Sequence, residues 1–195
     1  MEVNSEPSSS SHLQHDGDQE INQKFKFEQL NPNLNFSINY FSELPYKLKI
    51  SRLIFHCGNQ GIDYFVHRCM WPMTERRKIE SVTINSESGI HAVMSYSSAP
   101  LYSKDLRTKL GTSGTDKIIL LRYLAVDSAF QRQEMGLMLL HMLIEMGVEM
   151  SEKDNSYKFI VLEAATKEAC DFYESHGFNK IGTTCESHSQ YAYKL

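Results

Sequence analysis

One junction in the sequence joins the residue types that could bind an anion. The apolar run Ile118–Val126 leads through Asp127 and a short polar segment to Gly136, where a long helical pattern begins. The first N–H groups of a helix lack intrahelical partners and carry partial positive charge, so they attract anions, and a glycine lets the backbone approach a phosphate. The same pattern also fits an ordinary strand-to-helix connection capped by Asp127 or Ser128.

Other reactive residue types give weaker signals. The eight histidines lack ligand spacing and the four cysteines lack C-x-x-C spacing, so we expect no metal. His56 and Cys57 are adjacent, and on a strand they would point in opposite directions, which argues against a catalytic pair. The same alternation predicts that Arg122 and Tyr123 lie on opposite faces of a strand. The basic run Arg76-Arg77-Lys78 is typical of a solvated surface.

Composition places the chain among single-domain globular proteins. It has 195 residues, 41% hydrophobic and 23% charged, and a formal net charge of −4, which gives no overall attraction to nucleic acid. The longest apolar stretch is too short for a membrane span and the amino terminus lacks a secretory pattern, so we expect a cytoplasmic protein. Residues 1–23 hold five carboxylates and no aromatic side chain, which predicts a flexible polar tail ahead of a domain over 24–195.

The amino-terminal half of this domain predicts a helix and a hairpin. Apolar residues at helical spacing over Ile62–Trp71 predict a helix that Pro72 ends. Two alternating runs within residues 79–96, joined by turn residues, predict a hairpin. Residues 99–116 are polar, contain proline and glycine, and predict a loop.

The carboxy-terminal half alternates strands and helices. Ile118–Val126 predicts a strand that is buried on both faces. Met135–Val148 predicts a long helix whose methionines fill the core, and Lys167–Ser175 predicts a second helix that Gly177 ends. Further short strands are predicted at 159–162, 178–181 and 190–193. The whole pattern predicts an α/β or α+β domain around a mixed sheet.

Two segments of this half resemble motifs A and B of the GNAT (Gcn5-related) N-acetyltransferases. Gln131-Arg132-Gln133-Glu134-Met135-Gly136 stands where the family has a Q/R-x-x-G-x-G/A loop, and Ala169–Phe178 has the A-x-x-x-Y-x-x-x-G-F spacing. The pair of motifs at this separation is specific and covers residues 118–195. The resemblance implies a GNAT fold, in which a mixed central sheet with a splayed parallel strand pair is flanked by helices.

The resemblance also implies a site for acetyl-CoA, whose thioester an amine attacks directly in a ternary complex. Tyr173 stands where the family has the general acid that protonates the leaving thiolate, although the same pattern fits a core tyrosine on an amphipathic helix. In the family, the strand that here ends in Leu124-Ala125-Val126 offers a backbone N–H to the developing oxyanion. The residues implied to bind the cofactor are Leu124, Ala125, Val126, Gln131, Arg132, Gln133, Glu134, Met135, Gly136 and Phe172.

The loop departs from the family pattern at one position, and Tyr123 departs from the toxin branch, which tends to have an arginine just before Leu124-Ala125-Val126-Asp127. Glu134 replaces the first glycine of the loop, where a positive φ costs a residue with a Cβ about 1 kcal/mol or more. A carboxylate at this place also repels a pyrophosphate. The departure leaves open a degenerate GNAT that acts as a binding or regulatory module.

Upstream residues narrow the resemblance to one GNAT branch. Phe55-His56-Cys57-Gly58-Asn59, followed by Phe65, is similar to the F-x-C-G-N-x-x-L-x-x-F motif of toxins that act on aminoacyl-tRNA and pair with small antitoxins. This resemblance makes the amine of aminoacyl-tRNA the leading acceptor, with a protein or small-molecule amine as the alternative, and an antitoxin or a second copy as a partner. The basic residues that could contact phosphates are Arg76, Arg77, Lys78, Lys104, Arg107, Lys109 and Arg122.

Overall fold

A seven-stranded sheet forms the centre of the computed structural model, which describes residues 35–112 and 115–195. The strands are β1 (Ser37–Tyr40), β2 (Glu80–Ser86), β3 (Gly89–Pro100), β4 (Lys117–Val126), β5 (Tyr157–Ala164), β6 (Asn179–Thr183) and β7 (Ser189–Lys194). Their order in the sheet is β1-β2-β3-β4-β5-β7-β6, with β4 and β5 parallel and the other neighbours antiparallel. The polar tail predicted for residues 1–23 lies outside the described residues.

Six α-helices pack on the two faces of this sheet. They are α1 (Tyr46–Ser51), α2 (Gln60–Tyr64), α3 (Met70–Glu75), α4 (Lys104–Leu110), α5 (Met135–Lys153) and α6 (Lys167–Ser175). A π-helical turn, Phe65–Cys69, joins α2 to α3 without a break. The predicted hairpin, the long helix, the helix ended by Gly177 and the mixed sheet are confirmed.

One face of the sheet, called face A, is covered by α5 and α6. Ile119 and Leu121 on β4, and Ile160 and Leu162 on β5, are buried there in one cluster with the apolar side chains of both helices. Met135 is 1% exposed and lies in this cluster, so the methionine pattern marks core residues, as predicted. This face positions the two helices that carry the GNAT-like motifs.

The opposite face, face B, is covered in two separate places. Tyr123 and Ala125 on β4 pack in a cluster with α1–α3, whereas Ile118 on β4 and Val161 on β5 pack with Leu106 of α4 in another. Side chains alternate between the faces along each strand, which is why neighbouring residues belong to different clusters. The two helical layers flank the region where β4 and β5 meet.

The helix that was predicted to end at Pro72 continues to Glu75. A proline in a helix interior removes a hydrogen bond to the residue four positions earlier. Here the π-helical turn before Met70 changes the hydrogen-bond register, so Pro72 lies in the first turn of α3, where its missing N–H has little cost.

The predicted loop over 99–116 is also wrong in part, because it contains α4. The Ser103 hydroxyl accepts a hydrogen bond from the N–H of Leu106 and caps the helix, and Gly111 ends it with a φ of 64°. Leu106 packs in the face-B cluster near β5. Leu106 is the one buried residue of this helix, which gives too little periodicity to indicate so short an element.

Arg122 and Tyr123 lie on the same face of β4, contrary to the predicted alternation. Ser95 pairs with Tyr123 and Tyr96 pairs with Leu121, so Arg122 is an extra residue, a β-bulge. Tyr123 stacks on Phe65 on face B, with ring centroids 3.7 Å apart. Arg122 donates from Nε to the Ser97 hydroxyl on that face.

No helix within residues 35–112 and 115–195 combines the length and the apolar run needed to cross a bilayer. The same described residues contain no group of three or more His, Cys, Asp or Glu side chains that could hold a metal ion.

Candidate active site

The parallel strands β4 and β5 separate partway along their length. Their ladder starts at Lys117 and ends with the pair Leu120 and Val161, beyond which β5 continues to pair with β7. The two strands therefore splay apart toward their carboxyl ends, as the resemblance implied. The edge of β4 that faces β5 has no strand partner beyond Leu120, so the backbone groups on that edge as far as Ala125 can bond to a ligand.

The opening between the strands is a cleft of about 290 Å³. Both strands, the segment before α2 and the start of α6 contribute its walls. The lining residues are Cys57, Asn59, Ile62, Leu121–Val126, Gln131, Leu162–Thr166, Ala169 and Tyr173. The lining mixes apolar side chains with polar and charged groups, which can orient a small molecule.

A loop at the end of β4 carries the predicted anion site. Asp127 Oδ1 accepts a hydrogen bond from the N–H of Ala129 and caps a short 3-10 turn, and α5 then begins at Met135. The residue before α5, Glu134, makes no side-chain capping bond, so the first N–H groups of this helix lack a cap. These N–H groups and the helix dipole favour an anion.

Two residues of this loop adopt the left-handed conformation that favours glycine. Glu134 has a φ of 59° and Arg132 a φ of 62°. The chain thus keeps the backbone that the family's glycine implied, at a conformational cost of about 1 kcal/mol or more for each side chain. Within the cofactor set, Arg132 to Gly136 and Phe172 lie outside the cleft lining, whereas Leu124 to Val126 and Gln131 belong to it.

The side chain of Gln131 connects the loop to the segment before α2. Its Nε2 donates to the carbonyl oxygens of Cys57 at 2.9 Å and Val126 at 3.1 Å. Ser128 adds bonds from its N–H and hydroxyl to the carbonyl oxygen of His56, both 2.8 Å long. Gln131 thus holds the loop in place, a role that the motif alone did not indicate.

Tyr173 occupies the cleft wall opposite β4. The Thr166 hydroxyl caps α6, and Tyr173 lies two turns later with only 8% of its surface exposed. Desolvation raises the pKa of its phenol well above the ordinary value, so the hydroxyl is protonated at neutral pH. Phe172 packs edge-on against Tyr173, with ring centroids 5.2 Å apart.

His56 and Cys57 lie in a loop rather than on a strand, and one carboxylate organises both. Asp63 of α2 accepts a hydrogen bond from the Cys57 N–H at 2.8 Å, and its other oxygen lies 2.7 Å from His56 Nδ1. Burial alone would raise the pKa of the Asp63 carboxyl, but these bonds hold it below its ordinary value. Burial is also the main cause that raises the pKa of the Cys57 thiol to about 11, which makes it a poor nucleophile.

Sequence reasoning missed Asp63 and Glu163. Asp63 is 93% buried yet forms part of an ordinary-looking helical pattern, and only its place one turn after the capping residue Asn59 could have indicated it. Glu163 lines the cleft. A single carboxylate within the apolar run Phe159–Ala164 was the available signal.

A sheet with one splayed parallel pair, followed by a strand–loop–helix anion site, defines the GNAT fold. Residues 109–190 match the family model described as an acetyltransferase (GNAT) domain. No curated protein sequence is detectably similar to the whole chain.

Solved structures of bacterial toxins share the fold. AtaT complexed with acetyl-methionyl-tRNAfMet is 15% identical, with a TM-score of 0.66, and the match covers 82% of this chain and 95% of that one. AtaTR bound with acetyl-CoA gives the same TM-score and identity and covers 93% of that chain. A tyrosine-to-phenylalanine mutant of KacT is 18% identical, with a TM-score of 0.64 and coverages of 82% and 94%.

Proposed function

We propose that this protein transfers an acetyl group from acetyl-CoA to a primary amine, and that this amine is the aminoacyl group of a charged tRNA. The observation that carries the proposal is the cleft between β4 and β5, with a protonated tyrosine in one wall and a helix amino terminus beside it. Thioester aminolysis needs a donor for the oxyanion, a proton for the thiolate and a hold on the donor's phosphates.

The chain's residues can supply each of these parts. The loop from Gln131 to Gly136 and the first N–H groups of α5 bind the pyrophosphate, and the unpaired edge of β4 near Leu124–Val126 holds the thioester arm. The amine nitrogen forms a bond to the carbonyl carbon while the C–S bond breaks. Tyr173 gives its proton to the leaving thiolate, and the amine releases one proton as the amide forms.

Basic residues beside face B support a nucleic-acid acceptor. Arg76 and Lys78 are exposed at the end of α3, directly before β2. Glu80, two residues after Lys78, pairs with Tyr96, which in turn pairs with Leu121 at the cleft, so Glu80 lies about 10 Å, two strand spacings, from Leu121. AtaT, which shares this fold, has been solved in complex with acetyl-methionyl-tRNAfMet.

The first experiment measures binding of the acetyl donor, and the second identifies the acceptor. Calorimetric titration should give heat with acetyl-CoA and with CoA, and its absence at millimolar concentration would favour the binding-module alternative. Radiolabelled acetyl-CoA should then label aminoacyl-tRNA. Label on a peptide or polyamine, with none on charged tRNA, would move the function to the protein or small-molecule alternative.

A matched pair of variants tests the basic surface. Arg76→Gln/Lys78→Gln should weaken tRNA binding and reduce the slope of log affinity against log salt by about one to two. Lys153→Gln/Lys158→Gln removes the same charge from the far end of α5 and the start of β5, and should change neither quantity. Equal effects of the two pairs would point to net charge alone.

An antitoxin partner is part of the same proposal. AtaT has been solved with the carboxyl terminus of its antitoxin AtaR. A small ribbon-helix-helix protein encoded beside this chain should co-purify with it and inhibit acetyl transfer. A neighbouring protein that co-purifies without inhibition would contradict the antitoxin role.

A further inference from the structure

Two charged side chains, Arg122 and Glu163, line the cleft. Leu162 and Ala164 flank Glu163 on β5, and both are buried on face A in the cluster that contains Tyr173. Strand alternation therefore places Glu163 on face B, with Val161. Glu163 and Tyr173 thus lie on opposite sides of the opening, one for each reactant.

The splay of the sheet leaves this carboxylate accessible. Glu163 pairs through its backbone with Gln190 of β7, but the ladder to β4 ends two residues earlier at Val161. Its side chain is 47% exposed, and His188 Nδ1 lies 4.0 Å from its carboxylate. An acid held half-exposed at the mouth of an apolar cleft is suited to bind a cation.

Arg122 supplies the opposite charge on the same face. The β-bulge directs it to face B beside Tyr123, where its Nε donates to the Ser97 hydroxyl at 3.2 Å. A guanidinium also has paired terminal N–H groups, and their fork geometry matches phosphate or carboxylate oxygens. The face-B mouth therefore carries one anionic and one cationic group.

We propose that Glu163 binds the ammonium group of the acceptor and that Arg122 binds an anionic group of the same molecule. This inference rests on the proposed acetyl transfer and adds its specificity: the acceptor is a cationic amine joined to a phosphate, as in an aminoacyl ester at an RNA end. Glu163 holds the ammonium on face B, where one proton passes to water before the nitrogen attacks, and Tyr173 gives its proton to the leaving thiolate from face A.

The test compares two acceptors, charged tRNA and the methyl ester of an α-amino acid, which has no phosphate. Glu163→Gln should raise KM for both by about 10- to 100-fold, the range of a charge-assisted hydrogen bond. Arg122→Gln should raise KM for charged tRNA and leave KM for the methyl ester unchanged. The α-hydroxy analogue of the ester has no ammonium group, so it should inhibit the wild type only weakly. In Glu163→Gln, its affinity should equal the affinity of that variant for the amino ester.

Glu186→Gln is the matched control, because Glu186 also lies 4.0 Å from His188 Nδ1 but does not line the cleft. It should leave both KM values unchanged. An unchanged KM in Glu163→Gln, with normal acetyl-CoA binding and wild-type transfer, would overturn this inference alone. A wild-type protein that labels no amine at all would instead overturn the proposed function.

Discussion

Gln131 donates a hydrogen bond of 2.9 Å from Nε2 to the carbonyl oxygen of Cys57, 74 residues earlier in the chain. The bond joins the loop before α5 to the segment before α2, and the cleft lies between them. Asp127 strengthens the same junction, because its Oδ2 accepts from the N–H of His56 at 2.9 Å. The loop that we propose binds the pyrophosphate is therefore ordered by contacts with the segment before α2 as well as by its own strand and helix.

Replacing this amide by a carboxylate should loosen the junction. In Gln131→Glu, an anion faces the carbonyl oxygens of Cys57 and Val126, so we expect a loss of about 1–2 kcal/mol in the free energy of unfolding. Gln133→Glu makes the same charge change in the same loop. The Gln133 amide makes just one long bond of 3.4 Å, to the Ala129 carbonyl oxygen, so this variant should lose under about 0.5 kcal/mol of unfolding free energy. Urea denaturation compares the two, and equal losses would contradict the role of the Gln131 bond.

Removing the hydroxyl of Tyr173 should slow turnover without disturbing the fold. Tyr173→Phe should lower kcat and kcat/KM together by about 10²- to 10⁴-fold, because only the proton donor is lost, and acetyl-CoA affinity should stay unchanged.

Tyr191→Phe is the control for the loss of a buried hydroxyl. Tyr191 donates to Glu174 Oε1 at 2.6 Å and is fully buried, so this variant should lose about 1–3 kcal/mol of stability and keep most of its turnover. Near-native turnover in Tyr173→Phe would assign Tyr173 to the core.

Glu134 and Arg132 share a left-handed backbone and carry opposite charges, so variants of the two distinguish backbone strain from electrostatic effects. Glu134→Gly and Arg132→Gly should each stabilise the protein by up to about 1 kcal/mol, because glycine adopts a positive φ without steric cost. Glu134→Gly should also bind acetyl-CoA more tightly, since it removes a negative charge beside the pyrophosphate, whereas Arg132→Gly should bind it more weakly. Calorimetry gives the two affinities, and a change of the same sign in both would contradict a phosphate site at this loop.

A buried histidine should make stability depend on pH. His91 is 3% exposed beside Phe130, and desolvation lowers its pKa, only partly offset by the charge of Asp127. The unfolded chain therefore binds the proton more readily, so this stability is complete above pH ~6.5 and is lost as the pH falls from there toward the lowered pKa. Asp63, whose pKa is also lowered, acts only near pH 4 and below, where its carboxyl protonates.

Denaturation between pH 7.5 and 5 measures the effect. His91→Gln should flatten the decline of unfolding free energy over this range. His141→Gln, at an exposed position on α5, should leave the decline as in the wild type. An identical slope in all three proteins would show that His91 does not titrate with unfolding.

Elements with a strong hydrophobic period were predictable from sequence. The methionine-rich pattern from Met135 and the apolar run from Ile118 give α5 and β4, because burial on these faces leaves a period that competing signals do not mask. The place of Tyr173 in the cleft follows from the helix pattern of Lys167–Ser175 and from the family spacing.

The features that were missed depend on tertiary pairing. The bulge at Arg122 is set by how β3 and β4 pair, and no local residue marks it, since Arg122 itself fits a regular strand. The roles of Glu163 and Asp63 likewise come from residues distant in sequence: the separation of β4 from β5 exposes the first, and the loop at Cys57 buries the second. A linear pattern carries no record of either distance.

The π-helical turn Phe65–Cys69 fixes the length of the chain in this region. Such a turn holds one residue more than the α-helical turn that it replaces. Phe65, the first residue of the turn, stacks on Tyr123, and Met70, the residue after the turn, is fully buried. Both ends of the turn are therefore fixed in position. Deleting one residue would rotate everything downstream by about 100° and take Met70 out of the core. Gaps between Phe65 and Met70 should therefore be rare across evolution in related sequences.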